Sequence, residues 1–198
     1  HDSLQQYSRG AYTILEHFAD NSEEKVLSDY GILLWGNSNY NYNEGTMGYV
    51  NSSDVSWSLS QERNWSKSLL ISYMESHDEE RLMYKNGQFG NIQGMYNTRE
   101  KITALERMKL AATIFLMTPG PRLVWQFGEL GFDHSINRCT IGTVNTNCRL
   151  DNKPIVWDYI KDTSRKSVYD WYSRLLKLRS TLEWKNASRF ISYNLTGA

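Results

Sequence analysis

Residues 69–81 read Leu69-Leu70-Ile71-Ser72-Tyr73-Met74-Glu75-Ser76-His77-Asp78-Glu79-Glu80-Arg81. A short, mostly apolar run passes directly into a cluster of ionisable groups. A run of this length, bounded by polar residues, suits a buried strand. Its far end then delivers a His-Asp pair beside several glutamates. The same design recurs on both sides. Tyr12-Thr13-Ile14-Leu15 ends at Glu16-His17, and Ile32-Leu33-Leu34-Trp35 opens onto a polar loop from Gly36 to about Ser53. Leu123-Val124-Trp125-Gln126-Phe127 runs into Gly128-Glu129-Leu130-Gly131, with Trp125 read as a core residue of its strand.

Helical stretches separate these runs. Asn21 or Ser22 is placed to cap a helix, with Glu23 and Glu24 in its first turn and Val26, Leu27 and Tyr30 on its apolar face. A weaker helical segment covers Val55 to Trp65, and a second polar loop runs from Tyr84 to Asn97. Asn97 and Glu100 have the spacing of a capping box. Ile102, Leu105, Met108, Ala112 and Phe115 then recur at helical spacing until Pro119-Gly120-Pro121 stops the helix. Asp162 or Thr163 caps a last helix, with Val168, Trp171, Tyr172, Leu175 and Leu176 facing inward, and Arg189 to Tyr193 is a further strand candidate.

Strands alternating with helices predict parallel βα units. In a βα barrel the strand ends form the active face. A doubly wound open sheet shares the alternation, but no glycine-rich phosphate loop follows any strand, so nucleotide binding has no support.

Composition narrows the partners. The 198 residues carry 22 Lys+Arg and 22 Asp+Glu, so the formal net charge is zero. No basic stripe exists, which argues against nucleic acid. No apolar run approaches the ~20 residues of a membrane span. Seven Trp and thirteen Tyr serve packing first, but Tyr40, Tyr42 and Tyr49 lie in a polar stretch and suit sugar stacking. Cys139 and Cys148 flank a short polar loop. They form a local disulfide in an oxidising compartment or remain two thiols. A zinc site would need two more ligands. The chain opens on His1 rather than Met, read as a processed or cut product.

Glu16, Glu75, His77, Asp78 and Glu129 thus stand at strand ends. Carboxylates converging from different strands suit glycoside hydrolysis, in which one carboxyl donates a proton and another attacks or offsets oxocarbenium charge. The donor needs burial or a nearby negative charge, here expected from Asp78 and Glu75. The competing readings are a metal site built from Glu16, His17, His77 and Asp78, without either common zinc-protease spacing, and a structural role beside a solvated Glu79-Glu80-Arg81 run.

Tyr73 to Arg81 resembles the F-x-x-N-H-D motif of glycoside hydrolase family 13, the α-amylase family, where it ends the seventh barrel strand. Tyr12 to Glu16 is similar to that family's fifth strand, and Pro121 to Gly131 to its eighth strand and the turn that follows. Arg165 to Leu182 is similar to its last barrel helix. Ser76 departs from the usual Asn.

The resemblance implies an α/β fold: strands 5 to 8 of a (β/α)8 TIM barrel over residues 1–182, then the start of a C-terminal β domain over 183–198. It implies Glu16 as proton donor and later base, and Asp78 as transition-state stabiliser. His77 would bind the sugar's hydroxyls, with Trp35, Tyr40 and Tyr42 stacking on sugar rings. The expected activity is retaining hydrolysis of α-1,4-glucosidic bonds in starch-like glucans, in a secreted or periplasmic setting. An α-glucosidase, a transglycosylase or a non-catalytic glucan-binding homologue would share these motifs.

The nucleophilic Asp of the fourth strand, in a G-x-R-x-D motif, does not occur in the sequence, nor does the third-strand D-x-x-x-N-H motif. A full barrel takes about 250 residues. The expectation is therefore a segment of a longer enzyme, inactive without the N-terminal half of its barrel. No cofactor or metal is expected in this half, and calcium only in the full-length enzyme.

Overall fold

The computed structural model describes residues 1–181. The strand candidate at Arg189 to Tyr193 and the segment 183–198 lie outside the described residues. The chain runs α1 (Asp2–Tyr7), β1 (Ile14–Leu15), α2 (Asn21–Tyr30), β2 (Leu33–Asn37), α3 (Asn39–Met47), β3 (Leu70–Tyr73), α4 (Leu82–Phe89), β4 (Ile92–Gln93), β5 (Tyr96–Asn97), α5 (Lys101–Leu116), β6 (Arg122–Leu123) and α6 (Thr163–Thr181). It is a mixed α/β fold. One sheet holds β1-β2-β3-β6, every neighbouring pair parallel, in chain order and without reversal. Leu34 pairs with Leu70 and Asn37 with Tyr73. All of β3 is buried, as a strand covered on both faces must be. A small antiparallel hairpin, β4-β5, stands apart from this sheet.

Helix α5 is the centre of the core. Ala104, Leu105, Met108, Ala111, Ala112, Phe115 and Leu116 are buried along it, packed with Val168, Tyr172 and Leu175 of α6 and Leu82 and Met83 of α4. Arginines satisfy the carbonyls that its last turn leaves open. Arg122 Nε donates to Phe115 O at 2.9 Å. Arg179 donates to Leu116 O, to Thr118 O at 2.7 Å and to Gly120 O. At the start of α6, Asp162 Oδ1 accepts from Ser164 N and Arg165 N, a true side-chain cap. Among the described residues no helix is long and apolar enough to cross a membrane.

Several local expectations are corrected. Helix α2 is capped by Asp20, whose carboxylate accepts from Ser22 N. Its buried face carries Glu24 and Ser28, while Val26 and Tyr30 are exposed. Arg63 reaches Glu24 at 2.9 Å and gives the helix a polar contact beside Leu27, which packs against the Leu34, Trp65 and Leu70 cluster as expected. The polar loop expected at 36–53 contains α3, and the loop expected at 84–97 contains the end of α4 and the β4-β5 hairpin. Within the helical segment expected over 55–65 there is only the single 3-10 turn Ser56–Ser58. The capping box does not form. Glu100 is itself the residue before α5, and Asn97 Oδ1 accepts from Arg99 N. The strand expected at 123–127 shortens to Arg122–Leu123. Ile102, Trp171 and Leu176 lie at the rims of their helices rather than inward.

Candidate functional site

β1 ends at Leu15, so Glu16 is the first residue beyond it. β3 ends at Tyr73, and the turn that follows carries His77 and Asp78. In a parallel sheet both segments leave at the same edge. Glu16, His77 and Asp78 meet there, although β2 lies between their strands. His77 Nε2 is 3.8 Å from Glu16 Oε1 and 3.6 Å from Asp78 Oδ2. One side-chain atom from each residue lies within 4.8 Å of the other two. All three are exposed to solvent at the open edge.

Aromatic rings flank the imidazole. Trp35 of β2 stands edge-on to His77 with ring centroids 5.6 Å apart, and also against Tyr73 at 5.4 Å. Trp125, just past β6, also lies near His77, with ring centroids 6.0 Å apart. The core role expected for Trp125 is therefore incomplete: it is half-buried and borders the site. Tyr40 is exposed in the first turn of α3, just beyond β2. Tyr42 is not a stacking surface. It is 4% exposed and packs edge-on against Phe115 at 6.0 Å, and burial pushes its hydroxyl pKa up.

The acidic run beside the site is not solvated. Glu79 accepts from Asn37 Nδ2 at 2.7 Å, from Tyr73 Oη at 3.2 Å and from the Ser76 hydroxyl. Ser76 in turn accepts from Asp78 N and so shapes the turn holding Asp78. Glu80 accepts from Ser135 Oγ and Ile136 N, which ties down the segment after β6. Arg81 is buried, lies over Trp125 and Phe132, and donates to Ser76 O at 2.8 Å.

Glu75 and Glu129 turn away from this edge. Glu75 is buried and accepts from Leu82 N at 2.8 Å. Burial pushes its carboxyl pKa up, against the pull of Arg81. Glu129 sits in the turn Gly128–Leu130, and desolvation raises its pKa too. Both act on the buried Tyr172 of α6. Glu75 is thus a packing and hydrogen-bonding group, not the negative charge expected beside Glu16. A Cβ at Gly128 would meet Glu75 Oε2 at 2.6 Å, so a larger residue there forces the Glu75 carboxylate to shift.

The metal set also loses a member. His17 pairs with Glu23 at 2.9 Å at the start of α2. Glu16, His77 and Asp78 each still offer a ligand atom, but Arg149 donates to Asp78 Oδ1 at 3.1 Å. A metal cation there would sit beside a guanidinium, which works against holding it. Arg149 itself escaped sequence reasoning, since 71 residues separate it from Asp78. Cys139 and Cys148 form a disulfide just before it.

No protein-family model matches the chain, and a search of curated proteins returned no significant match.

Proposed function

We propose that this chain is the part of an α-amylase-type retaining glycoside hydrolase that supplies the proton donor and the transition-state carboxylate, acting on α-1,4-linked glucans. The observation that carries the reading is the meeting of Glu16, His77 and Asp78 at one edge of a parallel sheet, near Trp35 and Trp125. Two carboxylates exposed at one end of the sheet, with two indole rings near the imidazole between them, suit acid, charge and stacking together. The chain-order, all-parallel sheet agrees with strands 5 to 8 of a (β/α)8 barrel, since a doubly wound sheet reverses its order at the ligand crevice.

Glu16 donates a proton to the leaving oxygen and later takes one from water. Asp78 faces the developing positive charge of the sugar, and His77 donates to its hydroxyls. The sequence has no G-x-R-x-D segment, so these residues do not supply the nucleophile. Turnover then needs a barrel half that brings one.

The test is Glu16→Gln in the enzyme that holds this segment together with such a nucleophile. Turnover of maltooligosaccharides falls by about 10²–10⁴-fold, the usual contribution of a positioned acid, while substrate binding persists. Unchanged turnover defeats the reading.

A further inference from the structure

We propose that Arg149 is a positioning residue for Asp78 and that the Cys139–Cys148 disulfide is the latch that delivers it. The functional meaning of this rests on the role given to Asp78 above. The Arg149 guanidinium donates to both the Asp78 backbone carbonyl and Oδ1. That contact divides the carboxylate. One oxygen is held, and the other, Oδ2, is presented to His77 Nε2 at 3.6 Å. A single guanidinium nitrogen, Nη2, makes both bonds, so it ties the carboxylate to its own backbone and restrains its rotation, as a group facing a transition state requires.

Few apolar contacts hold the segment that carries Arg149, although the Asp151 carboxylate crosses it, accepting from Thr140 N and Oγ1 at 3.1 Å each. Ile141, Val144 and Leu150 are all exposed, and Leu150 is 93% so. Cys139 is the buried anchor. The turn bonds Cys139 N to Thr143 O and Asn145 N to Asn137 O are local. Arg149 directly follows Cys148, so the disulfide sets where its backbone starts. Lys153 is the second tie. Its ammonium donates to the carbonyls of Arg138, Cys148, Arg149 and Asp151 at 2.8–3.2 Å.

A dithiol reductant would open the latch. Two electrons and two protons pass to the cystine sulfurs to give two thiols, and the dithiol closes its own disulfide. The loop then regains the freedom that the bond removes, and Arg149 leaves Asp78.

The experiment is carboxylate labelling of the 198-residue chain with a water-soluble carbodiimide and an amine, quantified at each residue by peptide mass spectrometry. Oxidised protein is compared with dithiol-reduced protein, the Cys139→Ser/Cys148→Ser pair, Arg149→Met and Arg149→Lys. Asp78 labels several-fold faster in the reduced, Ser-pair and Met forms, and Arg149→Lys restores most of the protection. Glu16, which Arg149 does not touch, keeps its rate. An unchanged Asp78 rate on reduction and in the Ser pair overturns the proposal, because Lys153 and the Thr140–Asp151 bonds then hold the loop without the disulfide. An equal rise at Glu16 overturns it as well, since that reports general loosening. Asp78 responding as described, with turnover unchanged by Glu16→Gln in the enzyme that holds both barrel halves, upholds the latch and sinks the glucan reading instead.

Discussion

The imidazole of His77 lies 3.8 Å from the Glu16 carboxylate, although their strands, β1 and β3, are separated by β2. Long side chains from the outer positions bridge the middle one, and Trp35 of β2 supports the bridge at 5.6 Å. His77 is therefore in reach of both carboxylates. If it donates to a bound sugar, His77→Ala removes a hydrogen bond worth about 1.5 kcal/mol. Maltooligosaccharide affinity then falls by about tenfold, read by titration calorimetry. Affinity within twofold of wild type removes His77 from the binding surface.

Tyr40 and Tyr42 are two residues apart and separate cleanly. Tyr42 is sealed against Phe115, so Tyr42→Ala opens a cavity and costs about 3–5 kcal/mol of stability. Tyr40 is 63% exposed, and Tyr40→Ala stays within about 0.5 kcal/mol. Urea midpoints of the two variants check both statements. A destabilisation of Tyr40→Ala equal to that of Tyr42→Ala would mean the first turn of α3 is packed differently.

The apolar run at 123–127 overlapped β6 only at Leu123, but β1, β2 and β3 were legible, each an apolar run ending in charged or polar residues. Helix α3 was not. Its Asn39-Tyr40-Asn41-Tyr42-Asn43 start has poor helix propensity, and tertiary bonds make it. The Asn39 amide donates to Met74 O at 2.7 Å and Glu80 O at 3.0 Å, and its oxygen accepts from Asn43. None of those partners is visible from local pattern. Glu16, His77 and Asp78 could be placed from their strand ends, because strand ends share an edge. Trp125 was hidden by its position in an apolar run. Arg149 was hidden by distance along the chain, and Glu24 by the expectation that a helix buries its apolar residues.

The Glu24–Arg63 pair is the clearest charge inside the fold. The groups meet at 2.9 Å with both side chains almost fully enclosed, and Trp57 and Trp65 lie against the guanidinium. Desolvation pushes the Glu24 pKa up and the Arg63 pKa down, each opposed by its partner. Removing one member leaves the other buried and uncompensated. Arg63→Met is expected to cost about 3–5 kcal/mol, and Glu24→Leu with Arg63→Met to recover most of that. Denaturant unfolding of the two single variants and the double variant measures the coupling. Additive losses would show that each charge is satisfied without the other.

Arg179 spans the end of α5 with bonds to the carbonyls of Leu116, Thr118 and Gly120. Arg179→Met removes one of the two charged donors at that end, leaving Arg122, while keeping an apolar stem. Hydrogen bonds from a charged group contribute about 1.5–3 kcal/mol, and a loss of that size in the urea midpoint is expected. No loss would mean that solvent satisfies these carbonyls equally well.

Asp29 sets an acid limit on the α2 edge of the fold. Its carboxylate accepts from Lys25 Nζ at 2.7 Å and from the Ser66 hydroxyl and amide, joining α2 to the segment before β3. Those hydrogen bonds, that of Lys25 foremost, lower its pKa from 3.8 to about 2. A carboxyl depressed in the folded state binds its proton more tightly when unfolded, so stability rises with pH across the interval between the two values. The contribution is complete above pH 3.8 and is lost as the pH falls to about 2. Wild type and Asp29→Asn should therefore differ most at neutral pH and converge near pH 2, with the variant showing the flatter acid limb. Urea midpoints taken at intervals from pH 6 to pH 2, about the native range and below, check the sign. A gap that widens on acidification would place the titrating carboxylate elsewhere.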